Sequence, residues 1–168
     1  MRLLKRMAAV GAVAMIALPL AACARSGAAA PGGGGLVVGS KSVSSLGSVL
    51  VNPKGLTLYH MTPESASKIV CTGQCTSIWP PLLVPSGDSG ASAGSGVSGS
   101  FGTVQRPGGG VQVTFDGMPL YTYSGDSGPG QANGQGIQGI WFAVNASGGS
   151  AGASGSSGKG GGYGAGGY

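Results

Sequence analysis

The chain has 168 residues, of which only 8% are charged, with 37 glycines and a formal charge of +5 at neutral pH. Its length leaves room for one small domain with a single core once the low-complexity stretches are set aside. Arg25, Lys41, Lys54, Lys68, Arg106 and Lys159 are scattered, which excludes the basic stripe of a nucleic-acid binder.

Residues 1–22 begin with Arg2, Lys5 and Arg6 and continue in an apolar run from Met7 to Leu20. A basic start followed by a stretch too short for a comfortable membrane span reads as an export signal. Leu20-Ala21-Ala22-Cys23 resembles the lipobox of bacterial lipoproteins, in which the signal is cut before a cysteine that then carries lipid. The resemblance implies that Cys23 is the mature N-terminus and a membrane anchor. At about 0.8 kcal/mol per buried CH2, two acyl chains hold a membrane stably where one does not. Loss of the signal removes three of the nine basic residues, leaving six against four acidic ones. Ala24 is not the aspartate associated with inner-membrane retention, so in a host with an outer membrane that membrane is a possible destination.

Residues 23–35 carry the lipidated cysteine and the Gly/Ala/Ser-rich tether ARSGAAAPGGGG, a coil that holds the domain roughly 20 Å from the bilayer. The domain is expected over 36–145, with a Ser/Gly/Ala loop over 86–100 and a Gly/Ser/Tyr tail over 146–168, both expected to be disordered. Shifting the chain by 62 residues aligns nine identities in 33 positions, among them Leu58/Leu120, Tyr59/Tyr121 and Trp79/Trp141. The domain therefore reads as two tandem repeats, about 40–85 and 101–145.

Each repeat predicts a hairpin. In the first, VLV leads through Asn52-Pro53-Lys54-Gly55 into LTLYHM, the proline presetting one turn φ and the glycine accepting a positive one. In the second, Val111, Val113 and Phe115 alternate with Gln112 and Thr114, Asp116-Gly117 supplies a tight primed turn, and MPLYTY returns. Alternation puts Leu58 and Leu120 on one face and Tyr59 and Tyr121 on the other. Further strands are expected near 101–105 and 139–145, with Pro80 and Pro81 keeping the strand after Trp79 short or at an edge. No ten-residue window past the signal has a helical period, so the fold class is all-β. Cys71 and Cys75, in CTGQC, are left as a pair once Cys23 is lipidated, and in an exported protein they predict a small disulfide.

The stretch YSGDSGPG invites comparison with the nucleophile loop of trypsin-like proteases. Ser127, however, aligns with Ser65 in the first repeat, the chain has one histidine, His60, and two protease barrels need more chain than this. The GDSG stretch reads as a turn in which Asp126 bonds nearby backbone amides.

Tyr121-Thr122-Tyr123-Ser124-Gly125-Asp126, together with LTLYHM, CTGQCTSIWPPLLV and NGQGIQGIWFAV, resembles a family of bacterial predicted lipoproteins with secreted repeats and the motif Tyr-x-aromatic-x-x-Asp. The first repeat, Tyr59 to Glu64, departs from the motif at Met61 and at Glu64. The resemblance implies an exported, usually lipid-anchored, β-rich domain and no established activity. In physical terms, tyrosines on one strand face with an acid just past the turn can pack their rings and satisfy their hydroxyls, which would clamp the repeats together. Trp79 and Trp141 complete that expected core.

We therefore expect a non-catalytic lipoprotein that binds or scaffolds at the cell envelope, with the membrane as one partner, an envelope protein or glycan as another, and no cofactor. The competing reading is a copper or redox protein using His60 and Met61, although neighbours on a strand face opposite sides. A hydrolase built on Glu64 and Asp126 is the third class.

Overall fold

The computed structural model describes residues 35–152. The export signal, Cys23, the tether before Gly35 and the tail beyond Gly152 lie outside the described residues. As expected, the fold is nearly all β, a single small domain with eight strands in three small sheets among the described residues.

The chain opens with β1 (Leu36–Val43), which turns through Leu46 into β2 (Gly47–Val51), paired antiparallel from Val43↔Gly47 to Gly39↔Val51. Asn52 then reverses the chain. Its carbonyl accepts from Gly55 N–H at 2.8 Å, its side-chain oxygen accepts from the Lys54 and Leu56 amides, and Gly55 takes φ 79°. The returning segment contains β3 (Tyr59–Met61), which pairs with β8 (Trp141–Ala143). In the second half β5 (Phe101–Gln105), β6 (Val111–Phe115) and β7 (Met118–Pro119) form a meander. Asp116 and Gly117, with φ 48° and 78°, make the two-residue turn that their sequence predicts.

The 62-residue offset recurs in the bonds that join the halves. Tyr59 and Tyr121 exchange both backbone hydrogen bonds, at 2.8 and 2.9 Å. Thr62 N–H donates to Ile140 O as Ser124 N–H donates to Ile78 O, and Val144 N–H donates to Leu58 O as Leu82 N–H donates to Leu120 O. The hairpins depart from the offset by one residue: Leu58 bonds back to Leu50, Leu120 to Val113. Val49/Val111 and Val51/Val113, matched by an ungapped shift, thus sit one register apart, because the second turn is one residue shorter.

Strand alternation sorts the core into two clusters. Val49, Tyr59, Tyr121 and Ala143 enter one with Trp79 and Trp141, while their neighbours Leu50, Leu58, Leu120 and Val144 enter the other with Val38, Val113 and Phe115. Both faces of β6 are covered, so Gln112 and Thr114 are buried along with Val113 and Phe115.

Two expectations need correction. Residues 86–100 are not a structureless loop: they contain β4 (Ala91–Ala93), which runs parallel to Leu36–Val38 at the edge of the first sheet. Alanine and serine supply little core, but their backbone groups pair regardless of side chain. The tail does not begin at 146. Ala146 and Ala151 are buried, and a turn at Asn145 folds Ser150 back against Val144, with Ala151 N–H donating to Ala143 O at 2.6 Å. In keeping with the β class, helix is confined among the described residues to a single turn, α1 (Cys75–Ile78), and a 3-10 turn (Ile137–Gly139), which precede the two tryptophans. Elements one turn long leave no period to detect. Among the described residues no helix is long and apolar enough to cross a membrane.

Candidate functional site

The tyrosine–acid motifs of the two halves are crossed. A tight turn follows each tyrosine strand, closed by Glu64 N–H to Met61 O at 2.9 Å and by Asp126 N–H to Tyr123 O at 3.1 Å. These turns aim each carboxylate at the tyrosine of the other half: Tyr59 Oη donates to Asp126 Oδ2 and Tyr121 Oη to Glu64 Oε2, both at 2.7 Å. The remaining carboxylate oxygens hold backbone. Glu64 Oε1 accepts from the Val70 and Cys71 amides at 2.6 Å each, and Asp126 Oδ1 accepts from the Asn133 amide at 2.9 Å. Cys71 and Asn133 each lie seven residues after their acid. Glu64 and Asp126 are 7% and 6% exposed, so both acids are buried and partnered.

The rings form one stack around these bonds. Trp79 and Trp141 lie face to face, with centroids 3.9 Å apart and planes at 5°. Tyr59 meets Trp79 edge-on at 5.4 Å and Tyr121 meets Trp141 edge-on at 5.2 Å, the arrangement that ring quadrupoles favour. Tyr123 leans on Trp79 at 4.5 Å, and Met61 packs against the same cluster from the first half. Gly134 must lack a side chain, since a Cβ there would sit 2.8 Å from ring atoms of both Trp79 and Tyr59. Its amide donates to Tyr59 Oη at 3.3 Å.

One half carries a charge that the other lacks. Arg106 Nη1 donates to Gln112 Oε1 and, at 3.2 Å, to Tyr121 Oη, while Nη2 donates to Cys71 O at 2.6 Å. Its guanidinium carbon stands 5.7 Å from the Tyr121 ring centre. Burial pushes the Tyr121 hydroxyl up to about 12, the Glu64 bond adding to the shift and the Arg106 bond opposing it. Burial also raises Tyr59 far above the ordinary phenol value, reinforced by Asp126. Both phenols are thus neutral donors at physiological pH.

The other residues singled out from sequence take separate places. Cys71 and Cys75 form a disulfide with Cα atoms 5.3 Å apart, tying α1 to the backbone that Glu64 and Arg106 hold. His60 and Met61 leave β3 on opposite faces. The His60 ring lies beside Phe142 and its Nε2 is 2.8 Å from Ser150 Oγ, whereas Met61 enters the tryptophan cluster. Burial lowers the imidazole below its ordinary value, opposed by the Glu64 charge. Among the described residues no three of His, Cys, Asp and Glu converge as metal ligands. Ser127 sits in an exposed turn, its amide and hydroxyl both bonded to Gln131 Oε1, so His60 and Ser127 have different partners. Cys23 lies outside the described residues.

Sequence reasoning overlooked Arg106, Gln112, Asn133 and Gly134. The sequence pattern presents Gln112 as the polar residue of an alternating strand and Arg106 as one of several scattered cations. The equal spacing of Cys71 and Asn133 from their acids was the one available signal.

Residues 102–145 match a family model described as a secreted repeat of unknown function. The match takes in Tyr121, Tyr123, Asp126 and Trp141, and it fits an exported, extracytoplasmic protein. No curated protein and no solved structure matches the chain.

Proposed function

We propose that this chain is an exported lipoprotein, anchored through Cys23, whose domain is a non-catalytic binding or scaffolding module at the cell envelope. The observation that carries the reading is the full internal use of the motif. Each oxygen of Glu64 and Asp126 accepts a hydrogen bond from the protein itself, and Tyr59, Tyr121, Trp79 and Trp141 are all buried. Acids committed to this lattice are poor candidates for proton transfer to a substrate, and rings buried against one another have no open surface on which a sugar could stack. The family motif then serves to join the two halves, and whatever the protein binds meets it elsewhere.

The test is expression of the full chain in a bacterial host fed radiolabelled palmitate, followed by detergent-phase partitioning. The wild type is expected to be labelled and to enter the detergent phase, and Cys23→Ala to lose both properties. A water-soluble, unlabelled wild type would overturn the anchor. Labelling of the purified chain by a fluorophosphonate probe would overturn the non-catalytic reading.

A further inference from the structure

Arg106 is 8% exposed, a buried cation, and the crossed motif does not require it. The Tyr59–Asp126 bond has the same 2.7 Å length as the Tyr121–Glu64 bond, yet among the described residues no cation bonds to it. The first half's counterpart of Arg106, 63 residues earlier because that offset holds ahead of the hairpin turns, is Val43, paired with Gly47 as Arg106 is with Gly110. A guanidinium buried on one side only, where its counterpart does without, calls for a second role.

Three of its interactions face inward, to Gln112, Tyr121 and Cys71. Its Nε–H has no partner among the described residues, and no buried side-chain nitrogen or oxygen among them is left unsatisfied. Arg106 lines a surface pocket of about 360 Å³ whose wall also includes Thr72, Thr76, Leu83 and Gly108. Thr72 and Gly108 are exposed residues along the same opening. Leu83 is 43% exposed, giving the mouth an apolar side.

We infer that this pocket binds an oxyanion, a carboxylate or phosphate group belonging to a larger ligand, with Arg106 Nε–H as its fixed donor. A guanidinium held in place by three inward bonds is pre-organised and stays charged at any physiological pH. Hydrogen bonds from an ionised donor to an anionic oxygen are the strong class, and the surrounding protein screens them less than bulk water does. The pocket exceeds the volume of a phosphate or acetate ion, so the rest of the ligand has space along the Leu83 side. The inference supplies a ligand class for the binding module proposed above and rests on that reading for its location at the envelope. Its chemistry is independent of the lipid anchor.

The test is a titration of the 15N-labelled full chain, in neutral detergent, with inorganic phosphate and in a separate arm with sodium acetate, against sodium chloride of equal ionic strength. The Arg106 Nε–H resonance, assigned with Arg106→Lys, is expected to move saturably with at least one oxyanion and not with chloride. The arm that saturates at lower concentration identifies the ligand as phosphate- or carboxylate-bearing. Thr72→Glu, which sets a carboxylate at the exposed rim without touching the inward bonds of Arg106, is expected to abolish the response while leaving the amide spectrum folded. A resonance unmoved by either oxyanion, or moved equally in Thr72→Glu, would overturn the site. Failure here with palmitate labelling intact would leave the anchored module standing without this pocket.

Discussion

At the scale of single residues, the crossed hydrogen bonds make the two tyrosines unequal despite their matching lengths. Tyr59→Phe removes the hydroxyl from Asp126 and from the Gly134 amide, leaving a buried carboxylate oxygen to which no cation bonds among the described residues. Tyr121→Phe leaves Glu64 Oε2 unpaired but frees an Arg106 N–H close by. Each should cost about 1–3 kcal/mol, with Tyr59→Phe the more damaging, as read from urea midpoints at constant m. The same phenols set an alkaline limit. The Tyr121 hydroxyl titrates at about 12 when folded and near its ordinary value of 10 when unfolded, so its contribution is fully present below pH 10. It is lost as pH rises through 12. Two units correspond to roughly 2–3 kcal/mol, so urea midpoints should fall between pH 10 and 12, and the fall should shrink in Tyr121→Phe.

Among the elements, the most consequential are the shortest. The four residues of α1 bring Trp79 onto Trp141, and its first residue is tied by the disulfide to Cys71, whose amide and carbonyl are held by Glu64 and Arg106. Closing so small a loop is worth about 2 kcal/mol by restricting the unfolded chain. Replacing both cysteines by serine should therefore lower stability by about that amount. It should also weaken the near-ultraviolet circular dichroism of the stacked tryptophans, because α1 loses a fixed end. An unchanged tryptophan signal with lowered stability would place the effect in the unfolded state alone. The second half reaches the same stack without a disulfide, through the 3-10 turn and a Gly134 that admits the rings.

For the whole molecule, the decisive feature is that neither half is closed by itself. Tyr59 pairs with Tyr121, β3 with β8 and Pro81 with Tyr121, so each half completes its ladder on the other. The segment 146–152 seals this arrangement, with Ala146 in one cluster and Ala151 in the other. A chain ending after Asn145 should melt at a measurably lower temperature than one ending after Gly152. His60, bonded to Ser150, would lose that partner only in the shorter chain.

The sequence by itself determined the β class, both turn types, the disulfide pair and the tyrosine, tryptophan and acid residues of the motif. Period, turn chemistry and cysteine count are local properties, written within a few consecutive residues. Only the tertiary structure decided that each tyrosine bonds to the other half's acid, that Gln112 and Arg106 lie inside, and that Ser/Gly/Ala segments supply a strand and a buried seal. Those outcomes depend on which segments meet in space: the two tyrosine–acid bonds join residues 67 and 57 positions apart, and Arg106 reaches Cys71 across 35. Composition carries no record of such a choice, because a glycine or serine pairs its backbone wherever a partner strand happens to lie.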